Sequence, residues 1–125
     1  MGFTVFQGDD LDWEDRGDGS GRRVARFSDA MTTARANVWS YPPGARGRRH
    51  ADKAQEETFV VLRGTPSMHL GEPPERVDLS PGSVVVVEPG TPLQLRNDGP
   101  DEAVFFIVGA PPDTAGADFF DDAEP

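Results

Sequence analysis

Cysteine is absent from this chain of 125 residues, so disulfides and thiolate metal sites have no place in its fold or chemistry. That absence is compatible with the cytoplasm. Over Met1 to Gln7 there is no basic segment followed by an apolar run, so no secretory signal is expected and the cytoplasm is the expected location. Long apolar runs are missing as well, and nothing approaches the roughly 20 residues that span a bilayer. The longest candidate, Val84 to Val87, is four β-branched residues and reads as a buried strand. Positive charge is scarce. Twelve Lys and Arg stand against 22 Asp and Glu, for a formal net charge of −10. A field of that sign repels phosphate backbones and anionic lipid surfaces, so neither nucleic acid nor membrane is an expected partner. Only one basic residue is a lysine, Lys53, which reads as a compositional trait.

What is present is strand after strand. Phe3 to Gln7 is a short candidate, followed by an acidic, glycine-rich loop from Gly8 to Gly21. Trp13, the large aromatic of that loop, is expected to tack it onto the body of the protein. Further strands are expected over Arg22 to Phe27, Thr33 to Tyr41, Glu57 to Arg63, Pro66 to Leu70, Arg76 to Leu79, Ser83 to Val87, Leu93 to Asn97 and Ala103 to Val108. In the second of these, Ala34, Ala36 and Val38 share one face, while Arg35, Asn37, Trp39 and Tyr41 share the other. Turns rich in Gly and Pro separate the strands, among them Pro42-Pro43-Gly44, Ser80-Pro81-Gly82 and Glu88-Pro89-Gly90. Short strands at such spacing, without a helical period, indicate an all-β sandwich or barrel. The length suits one domain, with a core over about residues 22–110 and an acidic tail over 111–125. The tail is expected to be solvated, with Phe119 and Phe120 anchoring it either to the barrel or to a second subunit.

Two blocks carry chemistry. The first runs from Gly44 through His50, Asp52 and Glu57 to Gly64, and the second from Gly82 through Glu88-Pro89-Gly90 and Leu93 to Asn97. The first resembles the first motif of the cupin family: glycine, five residues, His-x-His, then glutamate and, six residues on, glycine. Asp52 stands where that motif has its second histidine. The second block is similar to the second cupin motif, with Gly82, Gly90 and Asn97 in register, Pro89 displaced by one, and Leu93 in place of the histidine ligand. The resemblance covers roughly residues 35 to 110.

The resemblance implies a cupin double-stranded β-helix, or jelly-roll barrel, that binds small molecules in its mouth. Many cupins hold Fe, Mn, Ni or Zn through three histidines and a glutamate. In this chain the equivalent shell is His50, Asp52, Glu57 and Leu93, one imidazole and two carboxylates beside a leucine that cannot ligate. The resemblance therefore implies an incomplete site, with no cofactor or a weakly bound divalent metal (Zn, Mn, Fe or Ni) on His50, Asp52 and Glu57. The expected ligand pocket comprises His50, Asp52, Glu57, Phe59 and Leu93. Three functions stay open: a small-molecule-binding cupin, a metal-dependent enzyme of dioxygenase or isomerase type, and a metal-free isomerase or cyclase in which Glu57 or Asp52 moves a proton. A homodimer is expected, with Trp39 and Tyr41 at its interface. Arg46, Arg48 and Arg49 form a basic island that either pairs with nearby acids or holds a carboxylate or phosphate of a small substrate. His69, alternating with Met68 and Leu70, is expected at the surface or an interface.

Overall fold

The computed structural model describes residues 2–112 and 115–123. Eleven strands occur among them: β1 (Glu14–Asp15), β2 (Arg23–Arg26), β3 (Arg35–Tyr41), β4 (His50–Asp52), β5 (Glu56–Arg63), β6 (Ser67–Leu70), β7 (Glu75–Asp78), β8 (Val84–Val87), β9 (Leu93–Arg96), β10 (Ala103–Ala110) and β11 (Ala117–Phe119). They form two antiparallel sheets, one in the order β1-β2-β3-β10-β5-β8 and the other in the order β11-β4-β9-β6-β7. Among the described residues the one helical element is a single 3-10 turn over Ser28–Ala30, and no described helix is long and apolar enough to cross a membrane.

Alternation along each strand decides what lies between the sheets. Phe59 and Val61 of β5 and Phe105 of β10 project inward from the six-stranded sheet, and Met68, Leu93 and Leu95 meet them from the five-stranded one. The face of β3 that carries Trp39 and Tyr41 also points inward. Tyr41 is buried in the core cluster with Trp39 packed against it, their rings 6.0 Å apart and edge to face. These aromatics are therefore interior, and the expectation that they form a dimer interface is corrected. Ala36, Val38 and Ser40 are buried on the opposite face of β3, because the N-terminal segment folds over it. There Phe6 packs on Phe27 at 4.6 Å and Phe27 on Phe106 at 6.2 Å. Trp13 lines the hollow under this cover beside Val38 and Phe106, with the Arg23 guanidinium 5.1 Å from its ring. Its anchoring role holds. No strand forms over Phe3–Gln7, where Phe3 and Val5 are exposed.

Two further readings change. Val84 to Val87 is an edge strand, not a buried one: Val85 and Val87 face inward, while Val84 and Val86 are each 59% exposed. His69 is only 2% exposed. It does point away from Met68, but the back of its sheet is itself covered. Beside His69, Gln94 donates to Gly47 O and Asp122 Oδ1 and accepts from Ala123 N, and Arg96 donates to Ala123 O. The tail is thus a built strap. β11 pairs with β4, and Ala123 is buried.

Asn97, fully buried after β9, ties three chain segments together: its Nδ2 donates to Tyr41 O (2.8 Å) and Asp101 O (2.9 Å), and its Oδ1 accepts from Gly99 N (3.1 Å). Gly64 closes the turn after β5 at φ +81°, where a Cβ would lie 2.5 Å from Glu102 O, so no other residue fits without backbone movement. Asn97→Ala removes the partner of the buried Tyr41 carbonyl and of the part-buried Asp101 carbonyl and Gly99 amide, and it is expected to cost about 1–3 kcal/mol of unfolding free energy in urea. A loss below about 0.5 kcal/mol would show that these bonds do not hold the motif in place.

Candidate functional site

A cavity of about 580 Å³ opens between the sheets. Its wall includes all five residues expected from the sequence, His50, Asp52, Glu57, Phe59 and Leu93. Each arrives there by strand alternation. His50 and Asp52 flank Ala51 on β4, so both point to one side while Ala51 is buried on the other. Glu57 shares the inward face of β5 with Phe59, and Leu93 sits directly opposite His50 in the β4–β9 pair. Trp39, Tyr41, Leu95 and Ile107 complete much of the apolar wall.

The polar end is a tight cluster. His50 Nε2 lies 3.6 Å from Asp52 Oδ2 and 3.5 Å from Glu57 Oε1. These are ionic contacts rather than hydrogen bonds, and Glu57 Oε1 is buried with no hydrogen-bond partner. On its other side the ring is fixed by Nδ1, which donates to Arg48 O at 3.0 Å. Burial works against the His50 imidazolium, but Asp52 and Glu57 outweigh it and push the group up to about 10. Burial also opposes ionisation of Asp52, yet His50 and Glu57 hold that carboxyl below its usual range. Glu57 takes the opposite course. Burial, reinforced by the Asp52 charge and only partly offset by His50, raises it to about 7. Two neighbouring carboxyls thus divide their roles, one ionised and one poised to exchange a proton at neutral pH.

The basic island divides too. Arg46 pairs with Asp122 at 2.8 Å and Arg49 with Glu72 at 2.9 Å, so two of its members serve the strap and a neighbouring loop. Arg48 alone lines the cavity, its guanidinium 3.8 Å from the Phe119 ring centroid. Several wall residues have no place in the pocket expected from the sequence: Arg16, Asp18 and Arg22 from the N-terminal loop, Ala117 from the tail, and Phe119, expected there only as an anchor of the tail. No motif marks them, and they enter the site only because both ends of the chain wrap around it.

A sequence model described as "Cupin domain" matches residues 37–109, more than half of the chain. This chain belongs to the cupin family. Solved structures agree on the fold. A polyketide cyclase from Streptomyces resistomycificus superposes with a TM-score of 0.81 at 15% identity, covering 98% of this chain and 88% of that one. An uncharacterized double-stranded β-helix protein from Klebsiella pneumoniae gives 0.77 at 22% identity, covering 94% and 97%. A sugar phosphate isomerase of the cupin superfamily from Silicibacter pomeroyi gives 0.75 at 20%, covering 94% and 92%. A search of curated proteins finds no match.

Cupins often bind a metal, and the donor set in this cupin fits one. His50, Asp52 and Glu57 offer ligand atoms that all lie within 4.8 Å of one another, a spacing three ligands on one face of a divalent ion can adopt. The backbone tie at Nδ1 leaves Nε2 as the ligating nitrogen, and the partnerless Glu57 Oε1 gains a partner when an ion is present. Leu93 makes the fourth side apolar.

The raised pKa values have a sign. Between 4.5, the ordinary Glu value, and about 7, folded Glu57 holds a proton that the unfolded chain has released. Between 6.5 and about 10, folded His50 does the same. In both windows stability falls as pH rises. With chelator present, the melting temperature is therefore expected to decline from pH 5 to 9, and Glu57→Gln to flatten the lower half of that decline. A wild-type profile that rises across pH 5 to 7 would show Glu57 ionised throughout.

Proposed function

We propose that this cupin binds a small organic molecule in the cavity between its sheets, with His50, Asp52 and Glu57 facing the bound molecule. The observation that carries this reading is the conjunction of a 580 Å³ cavity, within the range of small-molecule sites, with a cluster of three titratable groups in its wall. Neighbours of the same fold that act on small molecules, a sugar phosphate isomerase and a polyketide cyclase, lend support. On this reading Glu57 is the proton-exchanging group, Asp52 and His50 hold complementary charges beside it, and Phe59 and Leu93 exclude water. Native mass spectrometry of untagged protein is expected to show an adduct that is shed on denaturation. Leu93→Arg, which puts a cation into the cavity, should abolish the adduct. An unliganded mass under every condition would count against an occupied cavity.

A second reading, in which the triad holds Zn, Mn, Fe or Ni, is favoured by the ligand spacing and by the free Glu57 oxygen. Such an ion would polarise a carbonyl or hydroxyl of the bound molecule. Three ligands with a leucine at the fourth position favour weak binding. Wild type should then lose most metal on desalting, whereas Asp52→His with Leu93→His should keep about one equivalent per chain. Wild type that retains a full equivalent would place the metal-dependent enzyme first, and no uptake in calorimetry by any of the four metals would remove it.

The same proposal includes a homodimer, through a face other than the one expected from sequence. Leu62, Val84 and Val86 are 54%, 59% and 59% exposed on the outward side of the β5–β8 edge. A neighbouring copy would cover them. Light scattering should give about 27 kDa, twice the 13.5 kDa of the chain, and Val86→Lys should return it to the monomer value. A wild-type monomer at high micromolar concentration would refute pairing.

A further inference from the structure

Guanidiniums gather on the wall of this cavity, beside the carboxyl groups of Asp18, Asp52 and Glu57. In a protein of net charge −10, three guanidiniums, those of Arg16, Arg22 and Arg48, line one hollow. Their states differ. Arg22 is spent on structure: it pairs with Asp18 at 2.9 Å and donates to Ser20 Oγ and Tyr41 Oη. Arg16 and Arg48 have no carboxylate partner among the described residues, although acidic side chains outnumber basic ones nearly two to one. Both are instead set against aromatic rings. The Arg16 guanidinium lies 5.6 Å from the Trp39 centroid and that of Arg48 lies 3.8 Å from the Phe119 centroid. A guanidinium resting on a ring keeps its planar edge of N–H donors free, and that edge matches a carboxylate in a two-point bond.

The placement of these groups is fixed rather than incidental. Arg16 N donates to Arg22 O at 3.0 Å, pinning the loop where β1 meets β2. Arg48 O holds the His50 ring, so the backbone of this arginine is part of the triad's support. Arg16, Arg22 and Phe119 all lie outside residues 37–109, the stretch shared with the family. Arg48 lies within that stretch, so the cationic rim joins one residue of the family core to residues of the flanks.

Building on the proposal that the cavity takes a small molecule, we infer that this molecule is an organic carboxylate with a flat, unsaturated body. Its charge is held at the rim by Arg16 and Arg48, and its body lies along Trp39 and Phe119. The aromatic wall disfavours a strongly hydrated aliphatic body, and the unpaired guanidiniums disfavour a neutral or cationic head.

The test uses Trp39 as reporter. The chain has two tryptophans, so Trp13→Phe leaves Trp39, which lines the cavity, as the only one. In that background, with chelator present, fluorescence titrations compare benzoate, benzamide, cyclohexanecarboxylate and phenyl phosphate. Benzoate is expected to bind about tenfold tighter than benzamide, the worth of one charge-assisted contact. It should also bind more tightly than the other two probes. Arg16→Gln with Arg48→Gln should remove about tenfold of the benzoate affinity and leave that for benzamide unchanged. Both arginines are exposed, so the barrel should survive their replacement, and an unchanged melting temperature verifies it. Equal affinity for benzoate and benzamide, or no loss in the double variant, would overturn the anion handle while leaving the cavity a small-molecule site. Preference for phenyl phosphate would overturn the carboxylate, and equal binding of cyclohexanecarboxylate the flat body. Failure of all four probes to bind would overturn the small-molecule reading and this inference together.

Discussion

A strand cannot hide one side chain without turning the next one the other way, and every part of this molecule answers to that constraint. Two sheets facing each other satisfy only the inward halves of their strands. The outward halves of β3 and β10 carry Val38 and Phe106, and those of β6 and β9 carry His69, Gln94 and Arg96. Both sets need cover. The N-terminal segment supplies it on one side with Phe6, Trp13 and Phe27, and the C-terminal strap on the other with Asp122 and Ala123. The covers match what they hide, apolar rings over an apolar face and hydrogen-bonding groups over a polar one.

The interior obeys a second rule. Buried charge must be compensated, and here one imidazole faces two carboxyls. Burial, reinforced by the Asp52 charge, raises Glu57 beyond what His50 offsets, whereas His50 and Glu57 together hold Asp52 low against its own burial. A second histidine at position 52 would relieve that competition, and so would a divalent ion. The aspartate therefore changes the character of the pocket: the cluster stores a proton near neutrality instead of presenting a wholly neutral set of imidazoles to a metal. His69 shows the contrasting solution. Burial first, then the Arg96 and Arg76 cations, lower its pKa, so it stays uncharged behind the sheet with both ring nitrogens unpartnered.

Much of this was legible in the sequence for a physical reason. The two blocks that resemble the cupin motifs imply that His50, Asp52, Glu57 and Leu93 share one cavity, and strand alternation is the physical reason that residues two apart, such as His50 and Asp52, face the same way. Parity does not say which face is interior. The alternation of β3 separates Ala36 and Val38 from Trp39 and Tyr41, and small apolar residues suggested the core face, but the wide side chains are the ones that fill the space between sheets. The four valines of β8 misled in a similar way, since β-branching reports strand geometry and not depth. β4 and β11 passed unnoticed as strands because each is three residues long and lacks an apolar pattern of its own. Arg16 and Arg22 become part of the cavity wall through long-range wrapping, for which no local signal exists, while Phe119 stands out as an anchor without its sequence saying where it lands.

The short strand that bears His50 and Asp52 has few ways to be held. β4 meets β9 at a single residue pair, His50 with Leu93, and its longer partner is β11, at Ala117–Phe119. Both neighbours are more than 40 residues away along the chain. Closing such distances is slow relative to forming the hairpins elsewhere in the barrel, such as β6–β7. The residues with the most chemistry thus sit on the element whose position depends on the most distant parts of the chain, so the barrel can take shape well before its pocket has a complete wall. Synthesis order reinforces the delay: until residues 117–123 leave the ribosome, His50 has one strand neighbour, and Gln94 and Arg96 lack the backbone groups that later satisfy them.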